Sequence, residues 1–318
     1  MYDVAALGES LIDFTPEGTN GMGMPLFSQN PGGAPANVLA MNAKLGGRTA
    51  FIGKVGADGF GDFLRDTMAA AGIDVGGLRR TAACGTTLAF VHLDPSGDRS
   101  FSFYRKPGAD ILLEPGEVDP ALLRSCRVFH FGSVSLTDEP SRSATLHAAR
   151  TARSAGAVVS YDPNYRAFLW DDEAQAVAQM TAGLDLADIV KVSEEEMTLL
   201  TGETDLERGA EALRAHGAAL VLVTRGPDGA YFLAEGGRGL VPAYPVHAVD
   251  TTGSGDAFLG ALLWRLRGLS VAELDRVSQA EWASHVAFAN AAGGLTATKK
   301  GAIPAMPDLA QIERLVNR

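Results

Sequence analysis

Five short apolar runs recur along the chain, each flanked by a segment with helical spacing: DVAALGE (3–9), VFHFGSV (128–134), VVSYDPN (158–164), DIVKVS (188–193) and ALVLVTRG (219–226). Runs that are apolar almost throughout, rather than at every second position, suit strands covered on both faces. With helical segments between them, the arrangement that buries both faces is a parallel sheet flanked by helices on each side. The expected fold class is α/β, with a doubly wound, mostly parallel sheet. Two segments break the rhythm. Residues 12–32 are rich in glycine and proline with only short apolar patches, and 85–109 reads as two alternating strands around the turn Pro95-Ser96-Gly97-Asp98. Both read as an excursion from the main sheet. No internal repeat, low-complexity tract or Pro/Ser linker marks a second domain, so 1–318 is expected to form a single unit.

Charge narrows the partners. With 27 basic and 38 acidic residues the formal net charge is −11, and the acidic residues are scattered, which disfavours nucleic acid or an anionic membrane as a partner. An anionic substrate would need a local positive site. Cys84 and Cys126 have no CxxC spacing, indicate neither a disulfide framework nor a zinc site, and read as buried apolar filler. The opening MYDVAALGES lacks the basic and apolar regions of a signal peptide, and no run of 18 apolar residues occurs, so the expected location is cytoplasmic. The six histidines show no ligand spacing, and Trp170, Trp264 and Trp282 read as core.

The chemistry concentrates in VDTTGSGDAFLGALLWRL (249–266). After Asp250 the run Thr251-Thr252-Gly253-Ser254-Gly255 gives way to Asp256 and then to Phe258, Leu259, Leu262, Leu263 and Leu266 at helical spacing. Glycines at the mouth of a buried helix let backbone N–H groups converge on an anion, and the helix dipole adds partial positive charge. The alternative is an ordinary helix capped by Ser254 or Thr252, with Asp256 as a favourable first-turn carboxylate. A carboxylate beside an anion cradle suits phosphoryl transfer: Asp256 accepts the proton of the attacking hydroxyl, while the N–H groups of Gly253, Ser254 and Gly255 take up developing charge. No GxxxxGK[ST] loop or complete dinucleotide fingerprint is present. A second loop, NPGGAPANVLAMNAKLG (30–46), places Gly32 and Gly33 before Asn37, which is expected to open a helix.

GGAPANVLAMNAKLG with FIGKVGADGFGDFL (51–64), and DTTGSGDAFLGALL (250–263), resemble the two signature regions of the PfkB, or ribokinase-like, family of carbohydrate kinases. SFYRKPGADILL (102–113), FHFGSVSL (129–136), DPNYRAFLW (162–170), KVSEEEMTLLTG (191–202) and VTRGPDGAYF (223–232) agree in order, and their combination is most similar to fructokinases. The resemblance implies a ribokinase-like fold with a small β-sheet lid from about 12–32 and 85–110. It implies Asp256 as base, with Gly253, Ser254 and Gly255 as anion hole. Asp13, Gly33, Asn37, Arg105 and Arg166 match substrate-binding positions; Lys191, Ser193, Thr224, Gly226, Gly229 and Asn290 match the nucleotide site. Glu196, beside Glu195, matches a position near Mg²⁺ acting through water, and Asp250 and Thr252 match part of a monovalent-cation site for K⁺. Ser193 stands where the family usually has asparagine and Ser254 where GAGD has alanine; both variants suit fructokinase-like members.

The implied reaction is transfer from ATP to D-fructose at O6, with Mg²⁺ and K⁺ as cofactors. Small-molecule sugar and ATP are the implied partners, with a homodimer through the lid. Because Arg105 is placed to meet an acidic group, 2-keto-3-deoxygluconate competes as substrate, and ribose or a nucleoside competes less. A non-catalytic sugar- or nucleotide-binding protein on the same scaffold is the reading from another class.

Overall fold

In the computed structural model, which describes residues 1–93 and 99–317, the strands are β1 (Tyr2–Leu7), β2 (Leu11–Thr19), β3 (Pro25–Gly32), β4 (Thr49–Gly56), β5 (Ile73–Thr81), β6 (Leu88–Leu93), β7 (Arg99–Tyr104), β8 (Cys126–Gly132), β9 (Val158–Asp162), β10 (Ile189–Ser193), β11 (Leu220–Thr224), β12 (Ala230–Ala234) and β13 (Gly237–Val241). The α-helices are α1 (Ala34–Lys44), α2 (Gly59–Ala70), α3 (Pro120–Arg124), α4 (Ser141–Ser154), α5 (Glu173–Leu184), α6 (Glu194–Thr201), α7 (Leu206–Arg214), α8 (Ser254–Leu266), α9 (Val271–Leu274), α10 (Gln279–Ala297) and α11 (Leu309–Val316). No described helix is long and apolar enough to cross a membrane.

The main sheet runs β13-β12-β11-β10-β9-β8-β1-β4-β5, parallel from β5 through β11 and antiparallel across β12 and β13. The five apolar runs of the sequence are β1, β8, β9, β10 and β11, and they lie side by side at its centre. Their composition follows from cover on both faces: on β1, Val4 and Ala6 join one apolar core while Ala5 and Leu7 join the other, all without exposure. One face is covered by α1, α8 and α10, the other by helices that include α4 and α7. Helix α8 is apolar almost all round because it is sandwiched between α1 and α10, and Gly260 lets it touch α1, where a Cβ would press on the Val38 carbonyl.

The two segments that interrupt the rhythm meet in one separate sheet of order β3-β2-β6-β7. The turn expected at 95–98 lies outside the described residues. Residues 12–32, expected to form part of a small β-sheet, form the antiparallel hairpin β2–β3. Period-two alternation gives this sheet two unlike faces. Asp13, Thr15, Glu17, Ser28 and Asn30 line a cavity facing the main sheet. Phe14, in contrast, stacks on Phe90 at 4.8 Å and meets Phe60 edge-on at 5.8 Å.

Local expectations need three corrections. Helix α1 opens at Ala34 rather than Asn37, because Pro35 presets the first turn and Gly33 is the N-cap. The N-cap of α8 is Gly253 in a left-handed conformation (φ 74°), with no side-chain cap from Ser254 or Thr252. Cys126 is buried, with its thiol pushed up to about 12 by burial, but Cys84 is only half-buried.

Candidate active site

A cavity of about 620 Å³ opens between the two sheets. Its floor is the N-terminus of α8, its walls are the inner face of β2–β3 and the start of α1, and residues 164–169 and 300–304 reach its rim. It lies at the carboxyl ends of the parallel strands, as ligand sites in open α/β sheets do. Of the sequence-derived residues, Asp13, Gly33, Asn37, Arg166, Lys191, Asp250, Thr252, Gly253, Gly255 and Asp256 all line it.

Asp256 sits in the first turn of α8, and its Oδ2 accepts a 2.8 Å hydrogen bond from Nδ2 of Asn37, on α1. Burial pushes its carboxyl up to about 6, and Asp162 adds to the rise; the Asn37 hydrogen bond, Lys191 and Arg166 pull the other way. Asp13, on β2, is likewise raised to about 6 by burial, against the opposing charge of Arg166. Arg166 is exposed at the rim, where Nη1 donates to the Tyr165 carbonyl at 3.0 Å. Asn37 Oδ1 and Ser254 Oγ are buried without a hydrogen-bond partner, so polar capacity beside the floor is unspent. The Ser254 N–H, by contrast, donates to the Thr251 carbonyl at 3.1 Å. That turn engages one of the three donors expected of the anion hole.

Arg105 departs furthest from expectation. It follows β7, is 3% exposed and does not line the cavity. Its Nε donates to Asp110 Oδ2 at 2.8 Å, Nη1 to Thr137 Oγ1 at 2.7 Å and Nη2 to the Val134 carbonyl at 2.9 Å. The guanidinium is held in the wall, so a sugar contact through it is not what this geometry offers.

Ser193, Glu196, Thr224, Gly226, Gly229 and Asn290 stand outside the cavity lining. Ser193 and Thr224 are register partners at the carboxyl ends of β10 and β11. Ser193 also caps α6 in a reciprocal box with Glu196, whose Oε2 accepts the Ser193 N–H at 2.8 Å and Oε1 the Tyr165 N–H at 2.7 Å. Asn290 is tied by Nδ2 to the carbonyls of Val241 and Pro242, and a side chain on Gly229 (φ 96°) would collide with that same Val241 carbonyl. Asp250 Oδ1 accepts from the N–H and Oγ1 of Thr252, and Oδ2 from the Gly301 N–H, which binds two rim loops together.

Two groups went unread in the sequence. Glu9 lines the cavity with its carboxyl raised to about 7 by burial, and Oε1 accepts the Ala34 N–H at 2.9 Å. Asp162, at the end of β9, binds Lys191 Nζ at 2.8 Å. The signal for both was position alone: each carboxylate lies at or just beyond the end of a central strand.

A doubly wound sheet whose cavity joins a polar wall to a glycine-capped helix N-terminus has the form of a small-molecule phosphotransferase. The chain belongs to the pfkB family of carbohydrate kinases, whose pattern matches residues 1–309. It is 45% identical over 318 residues to fructokinase-1 of Oryza sativa subsp. japonica, covering 98% of this chain and 97% of that one. A fructokinase of Xylella fastidiosa with bound ATP superposes with a TM-score of 0.93 at 36% identity, covering 100% and 99% of the two chains. A fructokinase of Vibrio cholerae O395 with fructose, ADP and calcium bound gives 0.86 at 37% identity, with 98% of each chain covered.

Proposed function

We propose that the protein is an ATP-dependent fructokinase that converts D-fructose to D-fructose 6-phosphate. The observation that carries the chemistry is Asp256: a carboxylate raised to about 6, in the first turn of a helix whose N-terminus no side chain caps. As base it accepts the proton of the attacking hydroxyl, and the Gly253 and Gly255 N–H groups take up charge on the phosphoryl oxygens. Asp13, Asn37 and the backbone at Gly33 hold the sugar hydroxyls, and Arg166 lies at the rim near the phosphates.

The nucleotide is assigned to the strand ends that carry Ser193 and Thr224, with Gly226, Gly229 and Asn290 shaping the loop around Val241. Glu196, raised by burial and by neighbouring Asp162, gives Mg²⁺ a carboxylate partner through water; Mg²⁺ when bound neutralises phosphate charge. The smaller sheet acts as a lid that excludes water from the transfer.

Fructose is favoured over 2-keto-3-deoxygluconate because Arg105 is locked in the wall, while the sugar end of the cavity carries Glu9, Asp13 and Glu17. An acid substrate would meet carboxylates there. In kcat/KM measured side by side for fructose, 2-keto-3-deoxygluconate, ribose and adenosine, fructose is expected to lead. A tenfold advantage for any of the other three overturns the fructose assignment and leaves the kinase standing.

Asp250 and Thr252 tie the rim loop directly before the glycine cradle, which is where a K⁺ ion would fix the cradle and add positive charge. Rates in K⁺ and in a bulky organic cation are expected to differ severalfold, and equal rates remove K⁺ from the mechanism.

A further inference from the structure

Helix α1 has no cap of its own. Its N-cap is Gly33, which has no side chain to offer, and no acidic residue stands in its first turn. The backbone N–H groups at such a helix start must find partners elsewhere. The Ala34 N–H finds one in Glu9, two residues beyond β1, whose Oε1 accepts it at 2.9 Å. The Glu9 carbonyl packs against the same corner, where a Cβ added to Gly33 would stand 2.4 Å from it. Side chain and backbone of one residue therefore hold the corner from which Gly33 faces the cavity and Asn37 reaches Asp256.

Glu9 is 4% exposed yet borders the cavity, so protons reach it from that side. Burial pushes its carboxyl up to about 7; its own N–H, the Ala34 N–H and Arg105 pull the other way, and Asp110 adds to the rise. Arg105 and Asp110 form a pair of their own behind the wall, where Asp110 also accepts from Thr87 Oγ1. Around the cavity stand Asp13 and Glu17 on β2, Arg166 and Lys300 at the rim, and Lys191 and Asp256 at the floor. As an anion Glu9 makes the stronger, charge-assisted bond, at the positive end of the α1 dipole. Once protonated it holds Ala34 less firmly.

We propose that Glu9 is a positioning residue of the acceptor site, which caps α1 from the end of β1 and thereby sets the Gly33 backbone and Asn37 for the sugar. It acts through the corner it holds and needs no contact with the sugar itself. The assignment rests on the sugar-kinase reading and deepens it: the charge on Glu9 governs fructose KM, while kcat follows Asp256.

The test follows fructose KM and kcat by ADP release as a function of pH, with calorimetric binding of ADP alongside. In the wild type KM is expected to rise as pH falls through about 7, a step separate from the one near 6 that Asp13 and Asp256 bring. Glu9→Gln keeps the shape and a neutral acceptor for Ala34. It should abolish the upper step and raise KM about fivefold at pH 8, with kcat and ADP affinity within about twofold of wild type. Asp110→Asn keeps an oxygen for Arg105 but removes a negative charge that faces Glu9, so the upper step should move below 7. Loss of packing alone moves no such step. If Glu9→Gln does not fold, the wild-type and Asp110→Asn profiles still decide. A fructose KM that is flat through neutral pH, an upper step that survives in Glu9→Gln, or one that Asp110→Asn leaves in place overturns the proposal. Failure of the kinase reading itself is distinct, because wild-type protein would then release no ADP in response to a sugar.

Discussion

Asp256→Asn is expected to lower kcat by about 10²–10⁴-fold, the usual contribution of a positioned general base, while fructose and ADP still bind. Asparagine keeps the size and the first-turn position but accepts no proton. Its amide does not mimic the charge that now meets Asn37 at 2.8 Å. The wild-type pH profile follows from the same group. Burial raises the Asp256 carboxyl to about 6, so the active, ionised form is lost as pH falls through 6, and kcat should fall with it. For stability the sign is opposite: a carboxyl raised on folding favours the native state at low pH, and that benefit is gone once pH rises through 6. At pH 8 the asparagine variant should therefore melt no lower than wild type. Activity within threefold of wild type at that pH removes Asp256 from the role of base.

Gly33→Ala is the second substitution with a large expected effect. Gly33 has φ of 120°, outside the region L side chains adopt, and an added Cβ would press on the Glu9 carbonyl. Relief requires moving either the start of α1, which carries Asn37, or the corner between β1 and β2, which leads to Asp13. Both belong to the proposed sugar wall. Displacement of this order costs about 10²-fold in kcat/KM for fructose, whereas ADP affinity, assigned in the proposed function to the ends of β10 and β11, should hold. A fructose KM within twofold of wild type, in protein that still folds, would show that the Gly33 backbone does not shape the acceptor site.

The centre of the fold was legible because burial on both faces leaves a plain mark: β1, β8, β9, β10 and β11 are apolar almost throughout. The sheet's edges were not. β4 carries Lys54 and two glycines inside a signature stretch, and β12 and β13 are five-residue strands joined by Glu235-Gly236, too short for periodicity to separate from a loop. In the site, glycines before helices pointed to Gly33, Gly253 and Asp256, since their conformational need is written in residue type. Arg105 misled for the converse reason: a guanidinium suits a buried carboxylate as well as a ligand, and only three dimensions show that Asp110 claims it. Glu9 and Asp162 are single acidic residues at strand ends with no local pattern, and their significance appears only when β1 and β9 are placed in one sheet.

The β2–β3 hairpin leaves the main sheet after Gly8-Glu9-Ser10 and hands on to α1 at Gly33, and the Glu9–Ala34 hydrogen bond pins exit to entrance. A detour whose two ends are already fastened together costs its host little chain entropy when it is lengthened or recast. The wall proposed to read the acceptor can thus drift in sequence while the register of β10 and β11 and the first turn of α8 stay fixed. Substrate preference and transfer chemistry become separately heritable, and a lineage built on this scaffold can exchange one sugar for another without relearning how to move a phosphate.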